Sequence, residues 1–197
     1  MARNILQDLS AAMGAAVAAA RESVVRVSNG PGGAGSGVVW SSEGLILTNA
    51  HVVHRRTPTV TLPDGRELPA AVTAHDPARD LALLTVKASG LRAMPLGNSE
   101  HLRPGTWIFA VGHPWGVTNA VTAGIIIGVG ADMPEMAAGR REWLMVDLVL
   151  RPGNSGGPLV DAEGRMLGVN TIMTGPEVGG AVPVHVVRQF LGEATLS

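Results

Sequence analysis

The segment RPGNSGGPLVD, residues 151–161, places one serine, Ser155, in a frame of proline, glycine and asparagine ahead of an apolar run. A serine hydroxyl becomes a useful nucleophile when a base removes its proton and nearby donors stabilise the developing oxyanion. If Gly153 adopts a positive φ, the amide N–H groups of Gly153 and Ser155 can point the same way and supply those donors. An ordinary glycine-rich turn before a strand has the same composition, so this segment alone leaves both interpretations open.

Two other residues complete the set that acyl transfer needs, which is a base and a carboxylate that orients it. His51 follows a polar pair in TNAHVV at the end of a predicted strand, and Asp80 stands directly before the apolar run LALLTV. Each has a simpler interpretation, because a lone histidine is usually a surface or core residue and an aspartate there can cap a turn. The chain order histidine, aspartate, serine nevertheless matches that of chymotrypsin and differs from those of subtilisin and the α/β-hydrolases.

Many short strands must position these residues. Runs of β-branched and large apolar residues alternate with turns rich in glycine, proline and serine. No helical pattern separates the runs, which indicates an all-β barrel or sandwich, with a boundary in the connection near residues 90–104. The predicted strands are residues 23–28, 36–41, 45–53, 58–62, 66–74 and 80–86, then 106–112, 119–130, 142–150, 157–160, 165–173 and 179–184.

Helices are predicted at the two ends of the chain. Leu6, Leu9, Met13 and Val17 fall at helical spacing and form an apolar stripe on an alanine-rich segment. The segment ends in Ala-Ala-Ala like a signal peptide, but Asp8 interrupts its positive region, which favours a retained helix. Residues 185–194 are predicted to form a short amphipathic helix.

The sequence resembles the trypsin-like serine endopeptidases of the HtrA (Deg) family. The resemblance rests on GSGVVWSSEGLILTNAHVV, DPARDLALLTV, GHPWGVTNAVTAGIIIGVG, RPGNSGGPLVDAEGRMLGVNT and GGAVPV, which follow in family order over most of the chain. It implies two perpendicular six-stranded β-barrels of chymotrypsin type with the site in the cleft between them. The divisions expected are an N-terminal helix at 1–21, barrels at 22–90 and 105–185, a connection at 91–104 and a C-terminal helix and tail at 186–197.

The same resemblance assigns a role to each candidate residue. His51 is expected to act as general base and then acid, Asp80 as its orienting carboxylate and Ser155 as nucleophile. The amides of Gly153 and Ser155 are expected to form the oxyanion hole. No ATP, metal or other cofactor is implied.

By the family pattern the substrate side chain before the scissile bond (P1) would be bound by Val149, Leu150 and the stretch Thr171, Ile172 and Met173. None of these is acidic, so a small or medium aliphatic residue is expected rather than arginine or lysine. Plain core packing is the alternative for Leu150 and Met173. Substrate backbone is expected to add as a strand to the edge of the Thr171–Met173 stretch, which favours unfolded or extended protein.

The bulk composition excludes several other classes. A net charge of −1 gives no electrostatic reason to expect nucleic acid or an anionic membrane as the partner. The absence of cysteine excludes disulfides and thiolate chemistry, and no run approaches the ~20 apolar residues of a transmembrane helix. His51 and His54 in HVVH could suggest a metal pair, but three or four clear ligands are usual and none is evident.

Some features depart from the family or leave alternatives open. His113 in GHPWG stands where the family more often has asparagine or serine, and Arg140 or Arg141 could make an activation contact or be plain exposed charge. The resemblance is to the protease domain of the family without a PDZ domain, and two explanations are open: a truncated form of a longer protein or a protein that lacks PDZ. A homotrimer is expected by resemblance, as is a cell-envelope or periplasmic location, although the cytoplasm stays possible. The alternative function is a peptide-binding or chaperone-like module of the same fold whose triad is not engaged.

Overall fold

In a computed structural model of the chain, two closed antiparallel barrels form the body of the protein. The structure describes residues 4–30, 33–129, 142–175 and 178–194, with the backbone alone for residues 172–175. The first barrel has the strand order β1-β2-β3-β6-β5-β4 and closes through the pairing of Val27 with Val60. Its strands are β1 (Val24–Ser28), β2 (Ala34–Val39), β3 (Leu45–Thr48), β4 (Thr59–Thr61), β5 (Glu67–Asp76) and β6 (Leu81–Val86).

The second barrel repeats this arrangement with the remaining strands. Its order is β10-β11-β12-β9-β8-β7, and it closes where Leu159 pairs with Ala110. The two six-stranded barrels confirm the predicted all-β fold class. The strands are β7 (Trp107–Gly112), β8 (Ala120–Val129), β9 (Leu144–Asp147), β10 (Pro158–Val160), β11 (Met166–Gly175) and β12 (Val178–Pro183).

A shared apolar cluster joins the barrels. Val38, Leu47 and Leu81 of the first barrel pack in one buried cluster with Phe109 and Val160 of the second. Burying such side chains stabilises the fold by roughly 1.5–3 kcal/mol each. This shared core holds the two barrels together, and loops from both barrels line the cavity that lies between them.

The two helices pack on this cluster. Helix α1 (Ile5–Arg21) is capped by Asn4, whose side chain accepts a hydrogen bond from the Gln7 amide, and it buries Val17. Helix α2 (Val184–Ala194) buries its apolar face in the same cluster. An N-terminal and a short C-terminal helix are thus confirmed. Neither helix has the length and apolar character needed to cross a bilayer, within the residues that the structure describes.

The predicted stripe on α1 is only partly buried. Val17 is buried and Met13 is partly buried, but Leu6 is 76% exposed and Leu9 is 53% exposed. Among the described residues, these two side chains therefore belong to no buried cluster.

Candidate active site

His51 lies on a single 3-10 turn, Ala50–Val52, that follows β3. The sequence predicted a strand through residue 53, but β3 ends at Thr48 because the next residues are held by side-chain hydrogen bonds. The buried amide of Asn49 donates to the Asp80 carbonyl at 2.9 Å, and the Thr48 hydroxyl donates to the Ser36 carbonyl at 2.7 Å. Ala50 and Val52 point into the protein, while the His51 side chain stays 43% exposed at the cleft.

Asp80 occupies the residue before β6 and receives hydrogen bonds from two directions. Its carboxylate is 2.8 Å from His51 Nδ1 and 3.1 Å from the His51 amide nitrogen, and it also accepts from the Thr171 hydroxyl. Its φ of 57° is left-handed, a conformation that aspartate tolerates better than most residues. An ionised carboxylate only accepts, so Nδ1 carries the ring proton and Nε2 is left able to accept one.

The ionisation of Asp80 balances burial against these donors. Burial is the largest influence and raises the pKa, but hydrogen bonds from the His51 ring, the Thr171 hydroxyl and the His51 amide outweigh it. The net effect holds the pKa of Asp80 below its ordinary value. A carboxylate that stays ionised can fix the orientation of the imidazole and stabilise it once it becomes protonated.

The loop that carries Ser155 has two glycines with a left-handed backbone and no room for a side chain. Gly153 has φ 105° and Gly156 has φ 84°. A Cβ on Gly153 would lie 2.5 Å from the His113 carbonyl oxygen, and one on Gly156 would lie 2.1 Å from the Ser36 carbonyl oxygen. No side chain fits at these distances, so the frame noted in the sequence is a requirement of close backbone packing.

The carbonyl of Pro152 is directed at the turn after β7. It accepts a hydrogen bond from the Trp115 amide at 3.1 Å, and the Arg151 guanidinium stacks on the Trp115 ring at 5.5 Å. In a trans peptide the N–H points opposite to the C=O, so the Gly153 N–H points away from that turn. Within the described residues, neither the Gly153 nor the Ser155 amide donates a hydrogen bond. Both donors are free beside the Ser155 hydroxyl.

Ser36 is a buried contact between this loop and the first barrel. Its hydroxyl donates to the Gly153 carbonyl at 2.7 Å and accepts from the His113 amide at 2.9 Å. Its own amide donates to the Ser155 carbonyl at 2.8 Å. One residue of β2 thereby holds both ends of the segment from Gly153 to Ser155. Ser36 stands in no motif that predicted a role for it; the available signal was one serine in a strand that otherwise contains alanine, glycine and valine.

The Ser155 hydroxyl donates to the Thr171 carbonyl at 2.7 Å. No hydrogen bond joins it to His51 in the part of the chain that the structure describes. The two side chains nevertheless line the same cavity of about 230 Å³, together with Gly153. The structure thus brings His51, Asp80, Thr171 and Ser155 together, with the serine hydroxyl turned toward the strand instead of the imidazole.

The residues predicted to bind the substrate side chain differ in position. Val149 is 39% exposed, whereas Leu150 is buried in the core of the second barrel. Thr171 is buried; its hydroxyl donates to the Asp80 carboxylate and its carbonyl accepts from the Ser155 hydroxyl. The side chains of Ile172 and Met173 lie outside the described residues, as do Arg140 and Arg141.

One edge of β11 is open near the serine. Strand β10 pairs with the first part of β11, as far as Val169. The last backbone hydrogen bonds on that side join Asn170 to Gly156 and Gly157. Beyond Asn170 the described residues place no strand along this edge of β11. An extended peptide has the geometry to pair there.

No cluster of three or more histidine, aspartate or glutamate side chains is arranged to hold a metal ion in the described ranges. The groups that the structure brings together in this cleft are the imidazole, its carboxylate, the hydroxyl and the two free amides. These are the groups that acyl transfer requires.

Comparison with known proteins agrees with this geometry. Residues 35–169 match the family described as the trypsin-like peptidase domain. The mitochondrial serine protease HTRA2 of Drosophila pseudoobscura pseudoobscura is 42% identical over 165 residues, which are 81% of this chain and 39% of that protein. The putative serine protease HhoB of Synechocystis is 40% identical over 161 residues, covering 79% of this chain and 39% of that protein. The chain thus spans about two fifths of the length of these relatives.

Similarity to a solved structure extends over more of the fold. The crystal structure of a serine endoprotease from Yersinia pestis superposes with a TM-score of 0.82 at 31% sequence identity. The match covers 92% of this chain and 66% of that chain.

Proposed function

The chain belongs to the trypsin-like serine endopeptidases of HtrA type, and from this membership we propose that it cleaves polypeptides through an acyl-enzyme on Ser155. One observation carries the proposal most directly. An imidazole oriented by an ionised carboxylate lines the same cavity as a serine hydroxyl that has two unpaired amide N–H groups beside it. His51, Asp80 and Ser155 form the catalytic set, and Gly153 and Ser155 provide the oxyanion hole.

In the first half of the reaction, the Ser155 oxygen attacks the scissile carbonyl carbon while its proton passes to His51 Nε2. The carbonyl oxygen gains the electron pair and accepts hydrogen bonds from the amides of Gly153 and Ser155. His51 then gives the proton to the departing nitrogen as the carbon–nitrogen bond breaks. Water then attacks the acyl carbon and loses a proton to His51. As the bond from that carbon to the Ser155 oxygen breaks, His51 returns the proton to the serine oxygen and the new carboxyl end is released.

Thr171 connects substrate binding to this chemistry. Its carbonyl holds the Ser155 hydroxyl, and it lies at the open edge of β11 where a peptide would add. A backbone N–H of the substrate that bonds this carbonyl replaces the serine as donor. The hydroxyl is then free to turn to His51 Nε2, so binding of an extended peptide prepares the nucleophile.

The preferred substrates follow from the same elements. Pairing with a strand edge requires unfolded or extended protein segments, which suits a role in protein quality control without ATP. The exposed Val149 and the buried Leu150 offer apolar contacts and no carboxylate, so cleavage after small or medium aliphatic residues is proposed.

A self-association of the chain is part of the proposal. The exposed apolar side chains at the start of α1, Ile5, Leu6 and Leu9, suit contact with a second copy, and the HtrA resemblance suggests a homotrimer. The protein partners are then substrate polypeptides and further copies of this chain.

A second candidate function is a peptide-binding or chaperone-like module. The bond from the Ser155 hydroxyl to the Thr171 carbonyl favours it, because the nucleophile is not paired with the base. Peptide binding at the β11 edge would then occur without hydrolysis.

Casein hydrolysis by the wild type and by Ser155→Ala distinguishes the two functions. A protease loses essentially all cleavage in the variant, and the wild-type rate declines toward acid pH because a protonated histidine cannot accept the serine proton. Equal and negligible cleavage by both proteins, with retained binding of a labelled peptide, would support the binding module. Sequencing the products tests the proposed aliphatic P1 residue.

A further inference from the structure

The cavity beside Ser155 lies away from the residues proposed to contact the acyl side of the substrate. Besides His51, Gly153 and Ser155, it is lined by residues of the β1–β2 connection and by His54. Neither Val149, Leu150 nor Thr171, which are proposed to contact the acyl side of the substrate, lines this cavity. The residues that follow the scissile bond therefore leave the site past His54.

A second, basic cavity of about 400 Å³ adjoins it. This basic pocket is lined by Val53, His54, Arg55, Arg56, Val72 and His75, so His54 belongs to both cavities. No lining residue is acidic, and neither arginine forms an ion pair with a carboxylate of the described residues. In a chain of net charge −1 this is a local surplus of positive charge.

The basic pocket is fixed relative to the catalytic turn. The buried side chain of Asn29 donates to the Val52 carbonyl at 2.6 Å and accepts from the His54 amide at 3.1 Å. The Arg55 guanidinium reaches back to the β1–β2 connection, since a Cβ on Gly30 would lie 3.4 Å from its Nη1 atom. His75 is tied to the same turn through Nε2 and the Ala50 carbonyl, 3.1 Å apart. These hydrogen bonds therefore hold the backbone that carries the basic side chains in place relative to His51.

We propose that the basic pocket binds a carboxylate of the substrate a few residues after the scissile bond. An arginine guanidinium pairs with a carboxylate through two parallel hydrogen bonds. Arg55 and Arg56 form no ion pair with a carboxylate of the described residues, so both guanidinium groups are available to a substrate carboxylate. The extended leaving segment advances about 3.3 Å per residue, so substituting its second, third and fourth residues in turn finds the one that meets the pocket. This inference rests on the proposed protease function and adds to it a preference for acidic leaving segments.

The test uses internally quenched peptides that share one aliphatic P1 residue and end in a C-terminal amide. Glutamate, glutamine or lysine occupies the second, third or fourth position after the scissile bond. For the wild type, kcat/KM for the glutamate peptide at the best position should exceed that for the lysine peptide by about 5-fold, a modest effect because the arginines are exposed. The ratio should fall between about 50 and about 500 mM salt.

The double variant Arg55→Gln/Arg56→Gln should reduce this ratio to about one, while the glutamine peptide is cleaved at nearly the wild-type rate. Arg103→Gln is the matched control, because Arg103 is exposed, has no ion pair among the described residues and lies in the segment that connects β6 to β7. A ratio that is the same in the wild type and the double variant overturns the proposal. A further peptide with glutamine and a free C-terminal carboxylate shows whether a chain terminus serves as the carboxylate in place of a side chain.

A binding experiment separates failure of this inference from failure of the proposed function. Ser155→Ala, with and without the two arginine substitutions, is titrated with the same labelled peptides and followed by fluorescence anisotropy. If no peptide is cleaved by the wild type but Ser155→Ala binds glutamate peptides more tightly than lysine peptides through Arg55 and Arg56, the basic pocket stands without the protease. Equal affinities contradict it.

Discussion

Among single side chains, Ser36 makes the contacts that most directly hold the oxyanion donors in place. We predict that Ser36→Ala lowers kcat by at least about 10-fold and changes KM by less than about twofold, because the Gly153 carbonyl and the His113 amide lose their shared partner. Steady-state kinetics with a chromogenic peptide measures both constants. Ser23→Ala is the control, since Ser23 is equally buried but its hydroxyl has no partner among the described residues. A variant whose KM rises while kcat is unchanged would contradict a positioning role.

His113 gives the protein a measurable acid sensitivity. Burial, with a smaller contribution from the charge of Arg26, lowers the pKa of His113 from 6.5 to about 4. The unfolded chain therefore accepts a proton at His113 that the folded state resists. The free energy of unfolding that depends on a neutral His113 is fully present above about pH 6.5 and is lost as the pH falls toward about 4. The full difference corresponds to roughly 3 kcal/mol.

The prediction for His113 is tested by urea unfolding at about pH 7.5 and about pH 4.5. The free energy of unfolding of the wild type should decrease from the higher pH to the lower one. For His113→Asn this decrease should be smaller by up to about 3 kcal/mol, because asparagine does not titrate. The asparagine side chain can still accept from the Asn119 amide, as His113 Nδ1 does at 3.3 Å. An identical pH dependence in both proteins would remove His113 as the cause.

The residues proposed to carry the chemistry stand in patterns that the sequence shows, and the residues that hold them in place do not. Ser155, His51 and Asp80 each stand in a short local motif. Ser36 acts on Gly153 from 117 positions away, and the Thr171 hydroxyl reaches Asp80 across 91 positions. A contact between segments so far apart leaves no local pattern, because the partners meet only after both barrels have formed.

Among the elements, α1 behaves as two halves. Its second half packs on the barrels through Val17 and Ala20, while its first half exposes Ile5, Leu6 and Leu9. The spacing of apolar residues predicted the whole stripe correctly as helical, but periodicity does not tell which surface covers it. Similarly, the apolar run after Leu45 predicted a strand longer than β3. The strand ends earlier because the side chains of Thr48 and Asn49 form hydrogen bonds with other segments.

We predict that the exposed half of α1 holds copies of the chain together. The wild type should elute with light-scattering mass near three times 20.3 kDa, and Leu6→Asp/Leu9→Asp should reduce the mass to that of one chain. Gln7→Asp, on the same exposed turn, adds a charge without removing an apolar side chain and should leave the mass unchanged. A wild type that is monomeric at all concentrations contradicts the prediction.

The protein as a whole is joined through the cluster that both barrels share. Phe109 lies in it and is 2% exposed. We predict that Phe109→Ala lowers the free energy of unfolding by about 3–5 kcal/mol and that both barrels lose hydrogen-exchange protection together. Trp107→Ala, two residues away but 57% exposed, should cost much less. Protection lost in the second barrel alone would show that the barrels unfold independently.

The overall architecture was predictable to the level of two strand sets because turns and β-branched runs mark strands locally. Closure was not visible in any single run. Each barrel closes by pairing strands that are distant in the chain, β1 with β4 and β7 with β10, and these pairings depend on twist and register. The resemblance to a known family supplied that part of the prediction.

The hydrogen bond from Ser155 to the Thr171 carbonyl has a consequence for labelling reagents. A small sulfonyl or phosphonyl fluoride carries no N–H to take the place of the serine hydroxyl, so it meets an oxygen that is not paired with His51. Such probes will modify the protein slowly and will undercount competent molecules in a mixture. A short peptide product that occupies the β11 edge should speed the labelling, which makes the probe a reporter of edge occupancy as much as of the nucleophile.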